Sequence, residues 1–166
     1  MKIIKLLSVF VLALIISNCS EAKKENKIAV NENVAETINE IPAEKSLFDR
    51  LGGDEGIATI VDGIVATHLD NPEVNHLFIP LTKDPVHLEN VKKHLREFLS
   101  SGTGGSAVYS GKDLPTAHKG MQITENEFLS ATDDILTVLS ANNIDEETKK
   151  DMLYILYTLK GAVIRK

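Results

Sequence analysis

From Glu55 to Leu69 the apolar positions Ile57, Ile60, Val61, Ile64, Val65 and Leu69 recur at steps of three and four, the stripe of an amphipathic helix. A second such stripe runs from about Val86 to Leu99. It sets Leu88, Val91, Leu95, Phe98 and Leu99 against Glu89, Lys92, Lys93 and Arg96, and Gly102, Gly104 and Gly105 end it. A third helix is predicted to open at Thr124, with Glu127 three residues on as a capping box, and to carry Phe128, Ile135, Val138 and Leu139 as far as the break at Asn142-Asn143. The last, from Asp145 into Arg165, has Met152, Ile155, Leu156, Leu159 and Val163 on one side. Strand periodicity is absent, so the expected class is all-α.

Outside these stripes the chain changes character. Lys2 and Lys5 precede an apolar run, Leu6 to Ile16, that breaks at Ser17-Asn18-Cys19. The run is shorter than the roughly 20 apolar residues a membrane-spanning helix needs, and it reads as an export signal. An apolar run ending in small or polar residues and then cysteine resembles the bacterial lipoprotein signal, which implies acylation of Cys19, although Asn18 departs from the usual small residue before the cysteine. An uncleaved signal anchor or a non-lipidated secreted chain is the alternative. Either way the chain is expected to be exported, as a membrane-anchored protein of the periplasm or cell surface if Cys19 carries lipid. Residues 20–45, rich in Glu, Lys, Asn and Ala with scattered single apolar residues, cannot bury enough surface to fold alone and read as a flexible linker. Residues 46–166 are then one domain with one core.

Charge and motifs narrow the function. The whole chain has a formal charge of −6, and the leader's only charges are two lysines, so the remainder is more acidic still. That argues against nucleic acid and against an electrostatic grip on anionic lipid. No P-loop, G-x-G-x-x-G, G-x-S-x-G or Cys-x-x-Cys is present, and the single cysteine, Cys19, allows no internal disulfide.

Two histidines carry the chemistry. His94 lies three residues after Val91 and four before Phe98, on or beside the apolar face of the second helix. His118 follows Leu114-Pro115-Thr116-Ala117, which reads as one short helical turn with Pro115 in its first positions. A glycine-rich irregular connection, Gly104 to Gly111, precedes that turn, and connections of this length inside a compact domain tend to be functional. Two histidines are too few for a closed zinc site, but an iron porphyrin needs only one strong axial ligand and an apolar slot. His68, His76 and His87 are expected at the surface or its boundary.

At this point the residues resemble those of a group I truncated haemoglobin, the shortened globin built as a two-over-two helical sandwich. The likeness spans about Ser46 to Ile164. Leu47-Phe48-Asp49-Arg50-Leu51-Gly52-Gly53 is similar to the family's opening, where a Gly-Gly pair joins a short first helix to the second. Leu77-Phe78, Phe98-Leu99, Gly104-Gly105, Tyr109-x-Gly111, His118-Lys119-Gly120 and Ile123 follow its later landmarks in order and spacing. The resemblance implies haem b (iron protoporphyrin IX), with His118 as proximal iron ligand, His94 where some members place a distal histidine able to bind the iron, and Phe78 packed on the porphyrin. Val65, Val91, Leu95, Phe98, Leu99, Val108 and Leu114 are the expected apolar lining. Val65 stands where most members have a tyrosine that holds bound oxygen. A lost neutral hydrogen bond of about 0.5–1.5 kcal/mol implies oxygen release roughly three- to tenfold faster, unless His94 replaces it. The implied function is reversible binding of oxygen, or of nitric oxide or carbon monoxide. Nitric oxide dioxygenation supported by an unidentified reductant is the enzymatic alternative, and a haem-free tethered helical interaction module the non-enzymatic one.

Overall fold

A computed structural model of the chain describes residues 44–166; the expected export signal, Cys19 and nearly all of the linker lie outside these residues. Among the described residues there are helices and no strands. They are α1 (Leu47–Arg50), α2 (Gly53–Asp70), α3 (Asn75–Phe78), a 3-10 turn (Ile79–Lys83), α4 (Pro85–Thr103), α5 (Leu114–Ala117), α6 (Glu125–Ala141) and α7 (Glu146–Val163). No helix among them is long and apolar enough to cross a membrane.

Local chemistry sets most boundaries. Gly52, with φ of 90°, turns the chain from α1 into α2 in the left-handed conformation that a side chain disfavours. Asp84 caps α4 by accepting from the amides of Val86 and His87 at 3.0 and 3.1 Å, with Pro85 in the first helical position. At the other end the Gly105 amide returns to the Ser100 carbonyl at 2.8 Å, which extends α4 to Thr103, four residues beyond the apolar stripe. The capping box at Thr124 is formed in both directions: the Glu127 amide donates to Thr124 Oγ1 at 3.2 Å, and the Thr124 amide donates to Glu127 Oε2 at 2.7 Å.

The stripes then find one another. α2 packs on both α4 and α6, and α6 packs on α7, giving two helix pairs laid one over the other, the two-over-two sandwich. At its centre Leu51, Ile57, Ile60, Val61, Ile64, Val138, Leu139 and Met152 form the buried cluster, with Val61 and Leu139 at 0 % exposure. Leu95 and Leu99 of α4 and Ile135 of α6 pack against it from the sides. The short α1 is fastened to α7 by Arg50, which donates to Asp151 Oδ2 at 2.5 Å and Thr148 Oγ1 at 3.1 Å.

The apolar face of α7 is not closed over in the same way. Met152 is fully buried, but Ile155, Leu156, Leu159 and Val163 are only half-buried, as are Val91, His94 and Phe98 along α4. These apolar side chains lie in helical register, and the rest of the described protein covers them only partly.

Candidate haem site

His118 is held by short-range interactions. It caps α5, whose opening is fixed by Asp113: Oδ1 accepts from the Thr116 amide at 2.8 Å and Oδ2 from the Thr116 hydroxyl at 3.0 Å. The imidazole Nδ1 lies 2.8 Å from the Leu114 carbonyl, one turn back. A carbonyl oxygen can only accept, so Nδ1 carries the proton and Nε2 keeps its lone pair. This is the arrangement by which a backbone carbonyl orients a metal-binding histidine and selects its tautomer. The chain beyond is tied to the end of α7: the Gly120 amide donates to the Lys166 carbonyl at 2.7 Å and the Arg165 amide to the Ile123 carbonyl at 3.0 Å. α5 also packs on α7, so the half-buried His118 and the half-buried side chains of α7 belong to one neighbourhood.

His94 is half-buried on α4, with the ring of Tyr109 edge-on to it at 6.3 Å between centroids and an interplanar angle of 78°. Phe98, one turn further, meets the same tyrosine at 5.4 Å and 74°. Tyr109 donates its hydroxyl to the Lys112 carbonyl at 2.5 Å. Burial, followed by the nearby carboxylates of Asp113 and Glu97, holds the phenol above its ordinary pKa, which keeps that donor protonated. Gly111 lies against the phenol so closely that a Cβ there would collide with it.

Several expectations change. Val108, expected in the lining, is 82 % exposed. In an extended stretch neighbouring side chains point to opposite sides, and here Tyr109 is the one that turns towards α4. Leu95 and Leu99 pack against the central cluster, and Val65 is buried on α2, so all three help build the core whatever else they line. Phe78 is half-buried at the end of α3, and Leu114 is half-buried in α5.

The largest departure is His68, which is 5 % exposed rather than at the boundary. Its Nδ1 lies 2.8 Å from Asp134 Oδ2 on α6, and its ring sits 4.7 Å from the ring of Phe78. Asn71 donates to the same carboxylate oxygen at 2.9 Å and to Ser130 Oγ at 2.9 Å. Burial pushes the imidazole below its ordinary pKa, with Asp134 pulling the other way. The sequence held one hint, since His68 continues the three-and-four spacing of Ile57, Ile60, Val61, Ile64 and Val65. His76 and His87 are exposed as expected.

Residues 46–165 match the family of bacterial-like globins. The chain belongs to that family. A group 1 truncated hemoglobin of Tetrahymena thermophila is 26 % identical over 121 residues, covering 66 % of this chain and 96 % of the relative. One from Mycolicibacterium paratuberculosis is 24 % identical over 108 residues, 65 % and 76 % of the two chains. Among solved structures, the hemoglobin of Chloroflexus aurantiacus superposes with a TM-score of 0.62 at 25 % identity, over 74 % of this chain and all of that one. The Fe(III) form of Tetrahymena pyriformis truncated hemoglobin gives 0.66 at 20 %, with the same coverage. The two-over-two fold of this globin is thus shared with truncated hemoglobins.

The residues fit a haem. One imidazole has its tautomer set so that Nε2 is the free donor, and two helices offer apolar side chains that no other part of the described protein fully covers. That donor set suits iron porphyrin better than a closed metal site. Among the described residues no three His, Cys, Asp or Glu side chains converge.

Proposed function

We propose that this globin binds haem b through His118 Nε2 and reversibly takes oxygen or another small diatomic ligand, with His94 as the polar group on the distal side. The observation that carries the reading is the His118 Nδ1 to Leu114 carbonyl hydrogen bond, which orients the ring and leaves Nε2 as the electron-pair donor. Haem, when bound, would supply an iron able to take up a small diatomic ligand. The half-buried faces of α4 and α7 exclude water from the porphyrin, while Leu114 and Phe98 contribute apolar contact. Val65 and Val91 offer no hydrogen bond, so His94 is the side chain available either to donate to a bound ligand or to close the sixth position itself. A distal side this poor in donors favours binding or sensing over nitric oxide turnover, which also requires a reductant.

The test is haem titration of residues 46–166 followed by visible spectra in ferric, ferrous and carbon monoxide-bound forms. Stoichiometric binding abolished in His118→Ala is expected, and binding that survives this substitution refutes the proximal assignment. A low-spin ferric spectrum lost in His94→Ala identifies His94 as the sixth ligand. If His94→Ala leaves both the ferric spectrum and the oxygen dissociation rate unchanged, His94 has no distal role.

We also propose that the protein is exported and anchored by lipid on Cys19. The support is the run Leu6 to Ile16 ending at Ser17-Asn18-Cys19. Metabolic labelling of the full chain with a radioactive fatty acid in a bacterial host should mark the wild type and not Cys19→Ser. Equal labelling of the two excludes this anchor.

A further inference from the structure

Midway along the connection between α4 and α5, Ser110 is fastened to α4. Glu97 Oε2 accepts from the Ser110 amide at 3.0 Å and from the Ser110 hydroxyl at 2.6 Å. Its other oxygen meets Lys93 Nζ at 3.2 Å, one turn back on the same helix. Ser110 is the neighbour of Tyr109, whose ring lies edge-on to both His94 and Phe98. From the far side Tyr109 is fixed by its hydrogen bond to the Lys112 carbonyl and by the close backbone of Gly111. One carboxylate on α4 therefore sets the seat of the ring that bounds His94.

We propose that Glu97 is a positioning residue: by latching Ser110 it seats Tyr109 against His94 and so holds the His94 imidazole in the orientation from which it binds the haem iron. The proposal rests on the haem reading given above and adds to it what controls the distal ligand. Glu97 touches neither haem nor ligand; it acts through Ser110 and Tyr109. Two independent hydrogen bonds to one charged oxygen make a firmer anchor than a single neutral bond. An edge-to-face aromatic contact restrains ring orientation more than it adds binding energy. The Ser110 hydroxyl and amide, followed by Lys93, push the Glu97 carboxyl down to about 2, so the latch is charged at neutral pH.

The experiment compares wild type, Glu97→Ala, Glu97→Gln and Tyr109→Leu in the full globin domain with haem bound. Glu97→Ala and Tyr109→Leu should each lower the low-spin ferric fraction, and should speed carbon monoxide binding to the ferrous protein about three- to tenfold, because that step waits for His94 to leave. Glu97→Gln keeps an oxygen acceptor for Ser110 and should fall between them and wild type. A merely structural role would lower thermal stability and leave the His94-limited rate alone, which overturns the proposal. A larger low-spin fraction in Glu97→Ala also overturns it, because the latch would then be holding His94 away from the iron. The latch itself is read in the apoprotein by hydrogen exchange at the Ser110 amide, which must accelerate in Glu97→Ala. Wild-type protein that binds haem without a His94-dependent low-spin form refutes this proposal alone, whereas absence of haem binding refutes the underlying reading.

Discussion

Replacing Asp134 by alanine tests the buried pair that joins α2 to α6. The carboxylate accepts from Asn71 Nδ2 at 2.9 Å and stands 2.8 Å from His68 Nδ1, with the two side chains of the pair 6 % and 13 % exposed. Removing it leaves two donors in a poorly solvated place. A buried donor without an acceptor costs about 1–3 kcal/mol, so Asp134→Ala should destabilise the fold by about 2–4 kcal/mol. Each kcal/mol moves the melting temperature of a domain of this size by roughly 4 °C, which gives a drop of roughly 8–16 °C. Asp134→Asn keeps one acceptor and should lose less than half as much. Differential scanning calorimetry of the apoprotein at pH 7.5 decides the matter. Melting temperatures for both variants within 2 °C of wild type would refute the view that this pair is a dry, mutually satisfied contact.

The same pair sets a pH dependence. Burial holds His68 below its ordinary pKa, so the unfolded chain takes up the proton before the folded one does as pH falls. The stability carried by the neutral, buried imidazole is therefore complete above the unfolded value of about 6.5 and is lost as pH falls through the lower folded-state value. Urea midpoints measured between pH 8 and pH 5 should fall for the wild type. They should fall less for His68→Asn, which retains a nitrogen donor near Nδ1 but does not titrate. Parallel curves for the two proteins would remove His68 as the source. A wild type that gains stability on acidification would mean that the attraction of Asp134 for a protonated ring outweighs burial.

Three further outcomes are expected. Thr124→Ala removes the hydroxyl that accepts from the Glu127 amide, leaving the other half of the α6 capping box in place, and should cost about 1 kcal/mol, seen as a urea midpoint lower by roughly 0.5 M with an unchanged slope. Leu139→Ala opens a cavity at a side chain with 0 % exposure and should cost about 2–5 kcal/mol, enough for equilibrium unfolding to show a markedly smaller folded baseline. Gly111→Ala places a methyl against the Tyr109 phenol and should displace that ring, which near-ultraviolet circular dichroism will register as a changed tyrosine signal with little change in helix content.

What the sequence made legible follows the range of the interactions involved. The stripes at Ile57 to Val65 and Leu88 to Leu99 depend on neighbours three and four residues away, and they locate α2 and α4 because a helix that must bury one face repeats at that spacing. The caps at Thr124 and the turn at Gly52 are equally local. α3 and the 3-10 turn at Ile79–Lys83 are too short to show any period, so only the resemblance at Leu77-Phe78 marked that region. Periodicity also says which residues share a face and not what covers it. Ile155, Leu156, Leu159 and Val163 share the face of Met152 as expected, yet only Met152 is fully buried, although α6 runs beside α7 as far as the Phe128–Tyr157 ring contact and the Glu125–Lys160 ion pair.

The two sides of the proposed haem slot differ in the same way. His118 takes its orientation from Leu114, four residues back, and its place from a capped turn, so the proximal side is encoded in a few consecutive residues. The surroundings of His94 depend on Tyr109 and, through Ser110, on Glu97, partners brought together only after the glycine-rich connection has folded back along α4. His68 is a sharper case: the carboxylate that makes its burial tolerable lies 66 residues away on another helix. A histidine on an apolar stripe can thus be read from sequence as a candidate, but whether it is a ligand or a satisfied core residue is decided by a distant partner. In this globin Asp134 and Phe78 claim His68, and among the described residues no carboxylate within hydrogen-bonding distance claims His94 or His118. That contrast in long-range partners is what separates the structural histidine from the two proposed to face the iron.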